Sequence, residues 1–163
     1  MWLKPGLLLC SVWYASASVS ADSAFDALKS LQGNWAIQSE GKPLTIQMSY
    51  DTGSKGSIVT ERFGKELSVF YRDGENLMML HFCNAGNQPH LRLESTSEAS
   101  LLKFQTIETT NLSSPDAPHV QEMIYRFVSP DTIKLEIVWQ KGESRQSEKY
   151  QLTRIRTALP SAL

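Results

Sequence analysis

Leu44-Thr45-Ile46-Gln47-Met48-Ser49-Tyr50 alternates apolar and polar residues without a break. An extended backbone therefore sends Leu44, Ile46, Met48 and Tyr50 to one face and the polar residues to the other. Gly41-Lys42-Pro43 precedes the run and Gly53-Ser54-Lys55-Gly56 follows it, so this is a strand between turns. The pattern repeats on both sides. Strands are expected over 35–39, 44–50, 57–63, 66–72, 76–83, 90–96, 101–110, 120–128 and 132–140, with a last one ending near Ile155. Gly64-Lys65, Asp73-Gly74, Ser129-Pro130-Asp131 and Lys141-Gly142-Glu143 are hairpin signals between them.

Short consecutive hairpins join neighbours in space. About ten strands in that order close into a single antiparallel up-and-down β-barrel, which removes exposed sheet edges. A β-sandwich is the alternative, but its crossings need longer connections, and the segment 111–118 is the one connection of that length. The helix candidate is 22–31, where Ser23 is placed to cap and Phe25, Leu28 and Leu31 share a face. The fold class is thus all-β with a short N-terminal helix.

The chain has 163 residues, 41% of them hydrophobic, and 16 Lys and Arg against 17 Asp and Glu. That is an ordinary globular composition, and it excludes a disordered or collagen-like chain. A net charge of −1 supplies no field for gathering phosphates, which argues against nucleic acid as a partner. Residues 1–21 combine Lys4, an apolar run from Leu7 to Tyr14 and small residues ending in Val19-Ser20-Ala21, the pattern of a cleavable secretory signal. Cleavage is expected after Ala21, leaving 22–163 as one domain without a transmembrane helix, periplasmic in a bacterium and otherwise secreted. Cys10 follows Leu7-Leu8-Leu9 rather than the small residue that precedes a lipid-attachment cysteine. Maturation leaves Cys83 as a lone thiol, so no intramolecular disulfide forms.

Leu31-Gln32-Gly33-Asn34-Trp35, a helix leading to Gly-x-Trp at the first strand, resembles the opening signature of the calycin barrels: lipocalins, fatty-acid-binding proteins and their bacterial relatives. Leu152-Thr153-Arg154 looks like its C-terminal counterpart. The resemblance implies that Arg154 lies across Trp35 and closes the barrel base by a cation–π contact, with Gly33 allowing the tight bend beside the indole. A second block, Tyr71-Arg72-Asp73-Gly74 through His81-Phe82-Cys83 to Gly86-Asn87-Gln88-Pro89, is similar to one in small exported bacterial lipocalin-like proteins. It departs from that pattern at Arg72, where the pattern has His, and at Phe82, where it has Tyr. The resemblance brings a fold and no particular ligand.

The expected function is to hold a small hydrophobic or amphipathic molecule in the barrel without catalysis. Tyr50, Tyr71 and Tyr125 are candidate polar handles on the apolar wall, and Asn87 and Gln88 offer amide groups at the rim. Met123, Tyr125 and Phe127, then Ile133, Leu135, Ile137 and Trp139, continue that wall at every second position. With a turn flanked by Asn84 and Pro89, Cys83 faces His90, His81 faces Arg92 and Met79 faces Glu94. His81 and Cys83 are then ligand-site candidates, and His81, Cys83 and His90 are an alternative set for haem or a transition metal. Glu61 with Arg62, and Glu122 with Arg126, read as solvated or paired strand charges. No orienting group or oxyanion donor completes a Cys–His nucleophile, so the chain is not expected to be an enzyme. A structural or interaction module of the cell envelope is the remaining alternative, marked by an exposed apolar patch.

Overall fold

The computed structural model describes residues 18–156. Helix α1 (Ala21–Lys29) precedes ten strands: β1 (Gly33–Ser39), β2 (Lys42–Gly53), β3 (Ile58–Phe63), β4 (Glu66–Asp73), β5 (Asn76–Phe82), β6 (Gln88–Leu93), β7 (Leu101–Thr110), β8 (His119–Ser129), β9 (Thr132–Lys141) and β10 (Ser144–Arg154). Each pairs antiparallel with its chain neighbour, and β1 pairs with β10, so the sheet is one closed up-and-down barrel. The hairpin order selects this over a sandwich, as the spacing of turns implied. No helix of the described residues is long and apolar enough to cross a membrane.

The helix starts one residue earlier than expected, and its cap is Ser20 rather than Ser23. Ser20 has extended backbone and its Oγ accepts from the Ser23 N–H, satisfying a first-turn donor. Val19 is tied in as well, its N–H donating to Thr96 O at 2.7 Å. The expected boundary after Ala21 therefore falls inside α1, while the rest of the proposed signal, residues 1–17, lies outside the described residues. Phe25 and Leu28 of the helix are buried, together with Leu31 just beyond it. They cover one end of the barrel, where Trp35 sits.

The inward face is filled by side chains. Trp35, Met48, Phe70, Met79, Leu91, Leu102, Phe104 and Tyr125 all have essentially no exposed surface. Phe70, Phe104 and Tyr125 meet edge to face with centroids 5.5–6.1 Å apart, a packing that suits the ring quadrupoles. On β4 the buried alternation is Ser68 and Phe70, which places Val69 and Tyr71 on the outer face. The expectation that Tyr71 is a handle on the interior wall is thereby corrected. Ile46 is also 47% exposed, so the apolar stripe of β2 is buried at Met48 and Tyr50.

Candidate functional site

A row of polar side chains crosses the inner face of four adjacent strands. Tyr50 of β2 is paired with Glu61 of β3, Glu61 with Ser68 of β4, and Ser68 with His81 of β5. All four are at most 3% exposed. Ser68 Oγ donates to Glu61 Oε1 at 3.1 Å and stands 3.0 Å from His81 Nδ1. From the opposite wall, Tyr125 Oη donates to Glu61 Oε2 at 2.9 Å. Cross-strand register alone produces this line, since residues in register on one face are nearest neighbours.

The expectation of a solvated or paired strand charge at Glu61 is corrected by the structure: it is an interior carboxyl. Val59 and Phe63 sit at the same parity of β3, and their burial signals that Glu61 points inward too. Burial raises its pKa, while the Ser68 and Tyr125 hydroxyls that donate to its two oxygens, with the Tyr50 hydroxyl nearby, pull it back by favouring the charged form. Desolvation and the Glu61 charge hold the Tyr50 and Tyr125 phenols protonated, with pKa values well above the usual 10. Burial lowers the His81 pKa to about 4, so its imidazole is neutral at pH 7. Because the Ser68 hydroxyl donates to Glu61, the hydrogen between Ser68 and His81 is on Nδ1, an assignment made from the network. Nε2 is left as a buried nitrogen with no partner.

At the end away from α1, His81 adjoins Cys83 and Glu66. A ring nitrogen of His81, Cys83 Sγ and a Glu66 carboxylate oxygen all lie within 4.8 Å of one another. The β5–β6 turn sets this arrangement. Cys83 N–H donates to Asn87 O at 3.1 Å and Gly86 N–H to Cys83 O at 2.9 Å, closing a tight loop over Asn84-Ala85-Gly86. Gly86 takes φ +84°, a conformation that a side chain would strain. The loop is shorter than one flanked by Asn84 and Pro89, and the register moves with it: Met78 faces Arg92, Met79 faces Leu91 and Leu80 faces His90.

That register overturns the expected pairing of Cys83 with His90, His81 with Arg92 and Met79 with Glu94. It sends His90 and Arg92 to the face opposite His81, and brings Pro89 and Leu91 inward in their place. The set His81, Cys83 and His90 is therefore not assembled. Glu66 takes the third position instead, a residue that hairpin arithmetic on β5 and β6 alone does not reveal. Its Oε1 accepts from the Asn84 N–H at 3.0 Å and meets Cys83 Sγ at 3.7 Å, while the Ala85 N–H donates to the sulfur at 3.3 Å. Burial raises the Cys83 pKa, against the opposing pull of the Ala85 N–H.

Asn87 and Gln88 tie loops together. Asn87 Nδ2 donates to Pro118 O at 2.9 Å, and Gln88 donates to Gly86 O and accepts from Thr110. Asn87 Oδ1 is buried without a partner. At the opposite end, the Arg154 guanidinium lies 4.3 Å from the Trp35 ring centroid. Its Nη1 and Nη2 donate to Gln32 O and Ser30 O at 2.7 and 2.8 Å, and Trp35 Nε1 donates to Leu31 O at 2.8 Å. Gly33, at φ +121°, would set a Cβ 3.7 Å from Arg154 Nη1, so its backbone conformation rather than lack of space calls for glycine.

Between β9 and β10, on the inward side of the end remote from α1, is an open depression of about 500 Å³. Pro118, Trp139, Lys141, Ser144, Gln146 and Glu148 line it. Register places Trp139 beside Gln146 and Lys141 beside Ser144 on the same face as Ile137 and Glu148. One aromatic wall is thus flanked by groups of both charges. No protein-family model matches the chain, and no curated protein matches it either.

Proposed function

We propose that the protein binds a small amphipathic molecule at the open end of its barrel and leaves it chemically unchanged. The observation that carries this reading is the depression lined by Trp139, Lys141, Ser144, Gln146 and Glu148, whose size falls in the range of small-molecule sites. Trp139 offers an apolar face and Lys141 and Glu148 offer charges, so an occupant with both an apolar body and a polar head group matches the wall. The deep interior is occupied by Trp35, Phe70, Phe104 and Tyr125. Tyr50 and Tyr125 accordingly serve the interior carboxyl, and the ligand surface is the rim. The Trp35–Arg154 closure supports a calycin-type barrel, and the N-terminal pattern of residues 1–21 supports export of this binding protein.

Anilinonaphthalene sulfonate, an aromatic ring system with one anionic group, is a suitable probe. The folded protein is expected to enhance its fluorescence with saturation at one dye per chain, and Trp139→Ala and Lys141→Glu are each expected to weaken binding by roughly tenfold or more. Thermal unfolding of each variant reports whether the barrel is intact. Undiminished dye binding by both variants, or no binding by the wild type, overturns the reading.

A further inference from the structure

We propose that Glu66, His81 and Cys83 form a binding site for a borderline divalent cation of the zinc class, with Ser68 and Glu61 as the supports that orient the histidine. This inference is independent of the Trp139 depression, which lies on other strands.

The donor set is the first argument. One imidazole nitrogen, one thiol sulfur and one carboxylate oxygen are the ligand types zinc takes, and three protein ligands leave a fourth position for water or a small anion. Their donor atoms already lie within 4.8 Å of one another. The separations in a tetrahedral site follow from bond lengths of about 2.0–2.3 Å and are somewhat shorter, so small rotamer adjustments close the group on an ion.

The second argument is the state of His81. Nδ1–H is held by Ser68, whose own hydrogen goes to Glu61, which leaves Nε2 with a lone pair, buried and unpartnered. His81 is 97% buried, its exposure being 3%, and a buried acceptor without a donor is costly unless something fills the role. A carboxyl-backed histidine with its other nitrogen free is the arrangement that orients imidazole ligands on metals. Here Ser68 relays the contact.

The third argument is the sulfur. The Cys83 thiol faces Glu66 Oε1 across 3.7 Å, and the Ala85 N–H donates to Sγ. When the cation binds, the S–H bond breaks, its proton leaves to solvent, and the electron pair forms the sulfur–metal bond. His81 gives its lone pair without losing a proton, and Glu66 gives a carboxylate oxygen. One proton is released per ion, and no oxidant or reductant is needed. A bare ion also suits the filled interior better than a macrocycle, since Phe70 and Met79, the next inner residues of β4 and β5, are fully buried.

The test is titration of the chelator-stripped protein with Co²⁺ and then Zn²⁺. One Co²⁺ per chain is expected, with a thiolate-to-cobalt charge-transfer band, release of one proton, and loss of the band as Zn²⁺ displaces it. Cys83→Ser should abolish the band. Glu66→Gln and Ser68→Ala should each weaken binding by about 10–100-fold, the range for groups that complete or orient a metal shell. Circular dichroism and unfolding in chelator show whether each variant is folded, and Glu66→Gln, at a partly buried position where β4 begins, provides a variant outside the fully buried interior. Absence of the band in the wild type, its survival in Cys83→Ser, or unchanged affinity in folded Glu66→Gln overturns the site. Dye binding at the Trp139 face is unaffected by any of these results.

Discussion

Arg154 joins the last strand to the first through Trp35, with its guanidinium carbon 4.3 Å from the indole centroid and its nitrogens on the carbonyls of Ser30 and Gln32. It therefore fixes the base strand pair and the chain leaving α1 at once. Trp35→Ala should destabilise the protein by about 3–5 kcal/mol, as removal of a large buried aromatic does. Arg154→Leu removes the other half. The double variant should show a coupling of about 0.5–3 kcal/mol in denaturant unfolding; strictly additive losses would mean that the two side chains do not support one another.

Glu61 should leave a mark on the pH dependence of stability. Its folded-state pKa is raised above the ordinary 4.5, chiefly by burial. The folded protein then binds the proton more tightly than the unfolded chain, so this contribution is complete below the unfolded value and is lost as pH rises through the folded one. Glu61→Gln does not titrate. Urea unfolding across a pH series should show the wild type losing ground to Glu61→Gln between acid and neutral pH, and parallel profiles would contradict the burial argument.

Glu122 should behave with the opposite sign. It is 8% exposed on the outer face of β8 and is paired with Arg145 and with Lys103, the latter at 3.3 Å. Burial raises its pKa, but Arg145 and Lys103 together outweigh that and hold it below the usual carboxylate range. Its stabilisation is therefore present above the unfolded value and disappears as pH falls through the folded one. Glu122→Gln should flatten the acid limb of the stability profile, and added salt should narrow the difference because Arg145 is half-exposed.

The N-terminus gives a prediction for processing. Ser20 caps α1 and Val19 is hydrogen-bonded to Thr96, so cleavage after Ala21 would discard both. Ala15-Ser16-Ala17 satisfies the small-x-small requirement of signal cleavage four residues earlier. If the chain is exported and processed, its intact mass should correspond to a chain beginning at Ser18. A chain beginning at Asp22 would show that the cap is dispensable, and its thermal unfolding should then match that of a Ser20→Ala variant.

The barrel was legible because period-two alternation and turn residues recur along the chain, and each hairpin names its own neighbour. The candidate site was legible in part. His81 and Cys83 share a face by alternation on one strand, which needs no knowledge of pairing. His90 was misplaced because a loop of Asn84, Ala85 and Gly86 shifts the register and reverses which residues of β6 point inward. Glu66 comes from the other side of β5, where the β4–β5 register sets it against Cys83. A charge at Glu61 suggests solvent, but its parity with Val59 and Phe63 places it inside.

The hydrogen bonds between β1 and β10 tie folding to the end of the chain. Trp35 to Ser39 pair with Arg154 to Tyr150, so the ring cannot close until nearly all of the sequence is available. The hairpins pair residues near in sequence, whereas the β1–β10 contacts that make the sheet a barrel join the two ends of the domain and carry the longest loop closure. A chain truncated before β10 is therefore not a smaller barrel. It is an open sheet with β1 and β9 as two unprotected edges, poised to pair with other copies of itself.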